Sequence, residues 1–305
     1  MLESLGEGAT AAAQAGADTG DVTTSTKAAP FAVVLAGRPY HSDFLVNHDI
    51  DRLFVKHGIP VLPLDALEGL ETMDLSATRV EITTPFHTRM YATALTVARD
   101  PRLELVQLVS FGCGHDAVIS DEVQSLMRQV AGKTPLILKL DESDVAGPLG
   151  IRVRSFIETV RTRRAGKPYR IRPPADPFRV KFTKTEKQTK TILIPNITEA
   201  LSKMLESAMA SEGYRVEVLP MADRAAIALG KQFVHNDMCY PAQVNVGEML
   251  GALRSGKYDP DTVVCGLAKS ECDCRLAHYA ALGRKALDEA GYSQVPIITT
   301  DRDNK

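Results

Sequence analysis

Five cysteines are the residues of this chain with the clearest capacity for chemistry, because thiolates are soft ligands for transition metals. They are Cys113, Cys239, Cys265, Cys272 and Cys274. An odd, scattered set differs from the disulfide framework of a small secreted domain, so we expect free thiols in a reducing cytoplasm. The spacing contains no C-x-x-C, no zinc-finger pairs and no ferredoxin run. Spacing alone is therefore only weak support for a metal site.

Three of these cysteines occupy equivalent places in the predicted elements. Cys113 follows the apolar run that ends at Val109, and Cys274 follows the run that ends at Cys265 after an eight-residue loop and opens a helix. Cys239 precedes the helix predicted to begin near Pro241. Strand ends of a parallel sheet meet at one edge, and helix N-termini stabilise thiolates. We therefore expect Cys113, Cys239 and Cys274 to converge in one cleft.

The other two cysteines have simpler interpretations. Cys265 ends the apolar run Val263-Val264-Cys265 and is predicted to be a buried, inert core residue. Cys272 lies two residues before Cys274, so it is either a neighbour of the site or an additional ligand. The sequence leaves that choice open.

Polar residues near the cysteines could support a site or simply cap helices. They are His115, Asp116, Asp121, His235, Asn236 and Asp237. His41, alone in a turn, is expected to be solvated. No P-loop, no G-x-G-x-x-G after a strand and no nucleophile elbow occurs, so no catalytic residue and no nucleoside triphosphate site are assigned.

Apolar runs alternate with helical patterns along the chain, which predicts an α/β fold with mostly parallel sheets. The predicted strands are 31–36, 59–62, 103–109, 135–140, 191–194, 216–219, 262–265 and 295–298. The predicted helices are 44–57, 84–98, 116–130, 151–162, 202–211, 241–253 and 275–290. Helix, glycine and short strand follow one another at Gly58, Gly213 and Gly291, as in many αβ loops.

Composition divides the chain into four parts. Residues 1–29 lack large apolar side chains almost entirely and are predicted to be a disordered tail. Residues 30–164 form a first α/β domain, 165–190 a proline-containing basic linker, and 191–305 a second α/β domain. The segment from Arg161 to Lys190 contains eleven Lys and Arg residues but only two acidic residues, Asp176 and Glu186. This segment is either a solvated linker or a strip that binds anions, such as coenzyme A phosphates or an acidic partner.

Bulk properties exclude several classes of protein. The 305 residues are 44% hydrophobic and 24% charged, with a net charge of −2, as in soluble globular chains. No apolar run approaches the roughly 20 residues of a membrane span, and no secretory signal is visible. Aromatic residues do not interleave with the basic segment, so we expect no nucleic-acid partner.

Several strings in the chain resemble one known family. They are Gly37-Arg-Pro-Tyr-His-Ser-Asp43 with Asn47-His48, Gln107-Leu-Val-Ser-Phe-Gly-Cys-Gly114, Leu140-Asp-Glu142 with Ile151-Arg-Val-Arg-Ser155, Asn236-Asp-Met-Cys-Tyr-Pro241, and Cys274-Arg275 with Tyr279. In this order they resemble proteins related to 2-hydroxyacyl-CoA dehydratases and their activases. The resemblance covers about residues 31–300.

The resemblance implies two Rossmann-like, flavodoxin-like domains with an interdomain cleft that holds a 4Fe–4S cluster. By the resemblance, Cys113, Cys239 and Cys274 are the cluster ligands and one iron is left open. The implied function is redox: handling one low-potential electron in anaerobic metabolism, with an ATP-dependent activase or a dehydratase-type subunit as partner. Acyl-CoA is an implied ligand, and a dimer is compatible with the family.

Two further functions stay open beside electron transfer. In the first, the chain is a non-catalytic module of a larger assembly, and an iron–sulfur cluster or zinc only holds its domains together. In the second, the chain is a dehydratase-like lyase that needs a separate activase. The chain also departs from the family at Ser270-Glu-Cys-Asp273, where members usually carry two glycines. Members commonly have an actin-like ATPase module before this region and continue beyond the position of Lys305.

Overall fold

The computed structural model describes residues 30–82, 84–142, 146–166, 170–196, 198–269 and 274–300. The predicted tail, residues 1–29, and Cys272 lie outside the described residues. The disorder of the tail and the role of Cys272 therefore stay predictions.

The first half of the chain builds a four-stranded parallel sheet in the order β2-β1-β3-β4. Its strands are β1 (Ala32–Ala36), β2 (Val61–Pro63), β3 (Leu103–Ser110) and β4 (Leu136–Leu140). Its helices are α1 (Phe44–Asn47), α2 (Ile50–Val55), α3 (Pro85–Arg99), α4 (Gly114–Ala131) and α5 (Ala146–Ala165). The near-continuous burial of β3 fits a strand that is covered on both faces.

The second half repeats this arrangement in a second four-stranded parallel sheet, in the order β6-β5-β7-β8. Its strands are β5 (Thr191–Ile194), β6 (Arg215–Val218), β7 (Val263–Leu267) and β8 (Ile297–Thr299). Its helices are α6 (Glu199–Ser211), α7 (Arg224–Phe233), α8 (Tyr240–Arg254) and α9 (Tyr279–Glu289). The predicted α/β class with parallel sheets is confirmed. Among the described helices, none has both the length and the apolar character needed to cross a bilayer.

Short 3₁₀ helices connect several of these elements. They are Pro39–Ser42, Leu64–Ala66, Leu70–Thr72, Lys184–Glu186 and Arg275–His278. The last one leads directly into α9, so the residue before it, Cys274, opens a nearly continuous helical stretch.

Each sheet is covered by apolar side chains on both faces. Val106 and Leu108 of β3 pack with Phe54 of α2 and Ile157 of α5 on one face of the first sheet. On the other face, a single apolar cluster extends from α3 and α4 to β7, α8 and α9. This shared cluster joins the two halves, because burying apolar surface is the main stabilising term in folding.

The predicted helix 44–57 is wrong, because the chain breaks it into α1 and α2. His48 and Asp49 both adopt the left-handed conformation, with φ of 55° and 54°. Non-glycine residues rarely do so, and the conformation costs energy. The His48 Nε2 atom lies 3.1 Å from the Asp141 carbonyl oxygen, and this non-local hydrogen bond helps to hold the break.

Helix α7 had no counterpart in the sequence prediction. Asp223 is its N-cap residue, and its carboxylate accepts a hydrogen bond of 2.7 Å from the Ala226 amide. That cap was the available signal for a helix start. The three glycines predicted to end helices, Gly58, Gly213 and Gly291, have positive φ as that role requires.

Part of the basic segment has a structural task. Arg163 and Arg164 of α5 both reach Glu104, a fully buried carboxylate of β3, at 2.6 and 3.6 Å. An unpaired buried carboxylate would be costly, so these two arginines stabilise the first sheet. They are therefore not available as members of a freely solvated charged strip.

Candidate functional site

The candidate site begins where β1 and β3 end. The strand order reverses between these two neighbours, and open parallel sheets bind ligands at such a switch point. Gly37 and Arg38 follow β1, while Cys113 follows β3 and is the N-cap residue of α4. The Cys113 thiol makes no capping hydrogen bond, so its sulfur is not used to satisfy the helix.

Arg38 is the cationic neighbour of Cys113. Its Nη2 atom lies 3.5 Å from the Cys113 sulfur and 2.8 Å from Oδ1 of Asp116. The buried Asp116 carboxylate also accepts a hydrogen bond of 2.8 Å from the Ser110 amide. Asp116 thereby fixes the Arg38 side chain, which places a positive charge beside the Cys113 sulfur. Of the predicted supporting residues near Cys113, Asp116 does contact the site.

The turn after β1 is fixed by His41. The Arg38 backbone amide donates a hydrogen bond of 3.1 Å to His41 Nδ1, and a side chain at Gly37 would clash with the same ring. His41 is buried, so the expectation of a solvated turn histidine is wrong. Burial lowers the pKa of His41, which keeps the ring neutral and able to accept this hydrogen bond.

Cys239 occupies the N-cap position of α8, and its thiol likewise makes no capping hydrogen bond. Its sulfur lies 2.9 Å from the hydroxyl oxygen of Tyr279, the first residue of α9. Burial and then this contact raise the pKa of Tyr279. The phenol therefore keeps its proton and can donate a hydrogen bond to the Cys239 sulfur.

Cys274 is exposed and stands immediately before the 3₁₀ helix Arg275–His278. It lies close enough to Tyr279 to act electrostatically on the same phenol as Cys239. Its neighbour Arg275 lies across Gly114, where a side chain would overlap the guanidinium group. Cys274 and Cys239 therefore both lie near Tyr279. Arg275, the residue after Cys274, lies against Gly114, the residue after Cys113.

The four described cysteines fall into two groups. Cys113 and Cys239 are half-buried and Cys274 is exposed, whereas Cys265 is completely buried in β7. The predicted burial of Cys265 is confirmed, and it raises the pKa of the thiol to about 12, so the thiol stays protonated. Three accessible thiols at the starts of helical segments are a suitable donor set for a soft metal group.

The candidate ligands among the described residues are not arranged around a single metal ion. Within those ranges, no group of three or more His, Cys, Asp or Glu side chains is arranged to hold a metal ion. A four-iron cluster makes a different demand, because each thiolate binds a different iron.

Ion pairs near Cys239 connect elements of the two sheets. Asp237 pairs with Lys139 of β4, and Asp121 of α4 pairs with Lys285 of α9. The amide of Asp237 donates a hydrogen bond of 3.2 Å to His235 Nδ1. Asp237 and His235 therefore do not cap α8, since its N-cap residue is Cys239 itself.

A group of histidines beside the cysteines was not predicted. The ring centroid of His87 in α3 lies 6.2 Å from that of His115 and 6.2 Å from that of His278. Burial, with smaller contributions from His87 and His115, lowers the pKa of His278 to about 4. No sequence signal could have found this group, because the three residues belong to separate elements and share no spacing pattern.

No protein-family model matches the chain, and a search of curated proteins finds no match.

Proposed function

We propose that Cys113, Cys239 and Cys274 hold a 4Fe–4S cluster and that the chain is a redox protein. The observation that carries the proposal is the contrast among the cysteines. Three accessible thiols stand at the starts of helical segments linked by Arg275 and Tyr279, while Cys265 is sealed in the core. A cluster of this kind supplies a site that accepts and donates one electron at low potential.

The surroundings of the thiols support an anionic group. Arg38 lies beside the Cys113 sulfur, and Arg275 crosses Gly114 next to it. The N-termini of α4 and α8 direct unpaired N–H groups toward Cys113 and Cys239. Tyr279 offers a hydrogen bond to the Cys239 sulfur. These groups would offset the negative charge of three thiolates.

The finer features of the proposal follow from the resemblance. The two sheets would belong to two Rossmann-like domains with the cluster in the cleft between them, in a cytoplasmic protein. Cys274, the exposed ligand, would face an ATP-dependent activase or a dehydratase-type subunit that exchanges the electron. Cys272 is either a neighbour of the open iron or an additional ligand.

A structural metal is the second candidate, and one observation favours it. Cys113 belongs to the first half of the chain, and Cys239 and Cys274 belong to the second. A metal bound by all three would therefore cross-link the two halves. Zinc would do this without redox chemistry. The two candidates therefore differ in whether the bound metal can be reduced.

Electron paramagnetic resonance after dithionite reduction of anaerobically purified protein separates these candidates. The redox proposal predicts a signal from a reduced cluster, which Cys265→Ser retains and Cys239→Ser loses. Stoichiometric zinc with no such signal would replace the redox function by the structural one. A saturable acyl-CoA titration of the same protein would instead move the assignment toward a dehydratase-like lyase.

A further inference from the structure

A cleft separate from the cysteine thiols lies between α4, β4, α7 and α9. Its volume is about 490 Å³, which is in the range of small-molecule sites. One wall is a stripe of α4 that runs from Asp121 to Gln129, and the opposite wall is the end of α7 with the turn before α8. Lys285 and Glu289 of α9 line it as well.

The charges in this cleft are unequal. Arg128, Lys139, Lys231 and Lys285 contribute four cations to the lining, against the two carboxylates of Asp121 and Glu289. Lys285 pairs with both of these carboxylates, at 3.9 Å from Glu289. Lys139 pairs with Asp237, just outside the lining.

Two cations are left over after this pairing. Neither Arg128 nor Lys231 has a carboxylate partner within the described ranges, and both side chains are exposed. They come from opposite walls, since Arg128 belongs to α4 and Lys231 to α7. Two unpaired cations that line one concave site raise the local concentration of anions.

The rest of the lining is mostly polar and uncharged. Side-chain amides and a hydroxyl supply further hydrogen-bond donors: Gln124, Ser125, Gln129, Gln232 and Asn236. Phe233 and Val234 are the apolar exceptions. Such a lining suits a small, hydrophilic ligand and would be poor for an apolar one.

We propose that this cleft binds a small polyanion that carries phosphate or carboxylate groups, clamped between Arg128 and Lys231. Arg128 offers a planar fork for two oxygens, and Lys231 a point charge on the other wall. The ligand would bridge the helix that starts at Cys113 and the segment that leads into Cys239. The site does not depend on a cluster, so it goes beyond the proposed redox function.

Calorimetric titration of the full chain with pyrophosphate, with inorganic phosphate and with citrate tests this proposal. The titrations are run at low ionic strength, where screening is weakest. We expect saturable binding of pyrophosphate or citrate and weaker binding of phosphate. Preference for pyrophosphate would assign the phosphate class, and preference for citrate the carboxylate class.

The decisive variant is the double change Arg128→Gln with Lys231→Gln, which should raise the dissociation constant at least about tenfold. The matched control is Lys56→Gln with Arg154→Gln, two exposed cations outside the cleft. It should bind as the unchanged chain does. Absence of saturable binding, or an equal loss in the control, would overturn the proposal. Iron content measured on the same samples keeps this outcome separate from the fate of the redox function.

Discussion

The hydroxyl oxygen of Tyr279 lies 2.9 Å from the sulfur of Cys239, although 40 positions separate the two residues in the chain. This contact ties the start of α9 to the start of α8. Because Tyr279 also lies near Cys274, this side chain relates the two accessible cysteines of the second half.

Tyr279→Phe should change the reduction potential of the proposed cluster without removing it. The change deletes the contact between the phenol hydroxyl and Cys239, a proposed ligand, and hydrogen bonds to ligand sulfurs raise the potential of iron–sulfur centres. We expect full iron content and a more negative midpoint potential in an anaerobic redox titration. Tyr214→Phe, a change at a tyrosine that contacts Lys187, is the control. An unchanged potential would mean that the Tyr279 hydroxyl donates no hydrogen bond to a cluster ligand.

Arg38→Gln should destabilise the fold by about 1–3 kcal/mol, because it leaves the buried carboxylate of Asp116 without its cation. The measurement is the free energy of unfolding in urea. Asp116→Asn in the same chain removes the stranded charge, so the double variant should regain more than half of the loss. Strictly additive losses would show that the two side chains do not interact.

Lowering the pH from 6.5 to 4 should reduce the free energy of unfolding, because His278 becomes protonated in the unfolded chain first. Its folded pKa of about 4 lies below the ordinary value of 6.5, so in this window the unfolded chain binds the proton and the folded chain does not. The contribution, about 3 kcal/mol, is present above pH 6.5 and is lost as the pH falls toward 4.

The His278→Phe variant isolates this effect. It cannot titrate, so its unfolding free energy should fall less over the same range than that of the unchanged chain. Parallel profiles for His278→Phe and the unchanged chain would contradict the low pKa.

Two glycines control how closely α7 approaches α8, the helix that begins at Cys239. A side chain at Gly230 would overlap the Gln243 carbonyl, and one at Gly247 would overlap the Ala226 carbonyl. Gly247→Ala should therefore lower the melting temperature sharply, because it forces the backbones of the two helices apart. Gly251→Ala meets nothing within 4 Å and should stabilise α8 by about 0.5–1 kcal/mol. Equal effects of the two changes would exclude a close helix crossing.

The sequence predicts the strands far better than it predicts the contacts of the site. Long apolar runs such as β3 are readable, because burial on both faces demands them. The break at His48 was not readable, since it depends on a hydrogen bond to Asp141, far along the chain. The histidine group and the Arg38–Asp116 pair were missed for the same reason: they are created by the meeting of separate elements.

Iron and acid-labile sulfide per chain, measured after anaerobic purification, test the proposed cluster most directly. We expect about four of each in the unchanged chain, as a 4Fe–4S cluster requires. Cys113→Ser, Cys239→Ser and Cys274→Ser should each lose most of both, whereas Cys265→Ser should keep them. An iron-free chain, or iron that is unaffected by all three ligand changes, would contradict the cluster proposal.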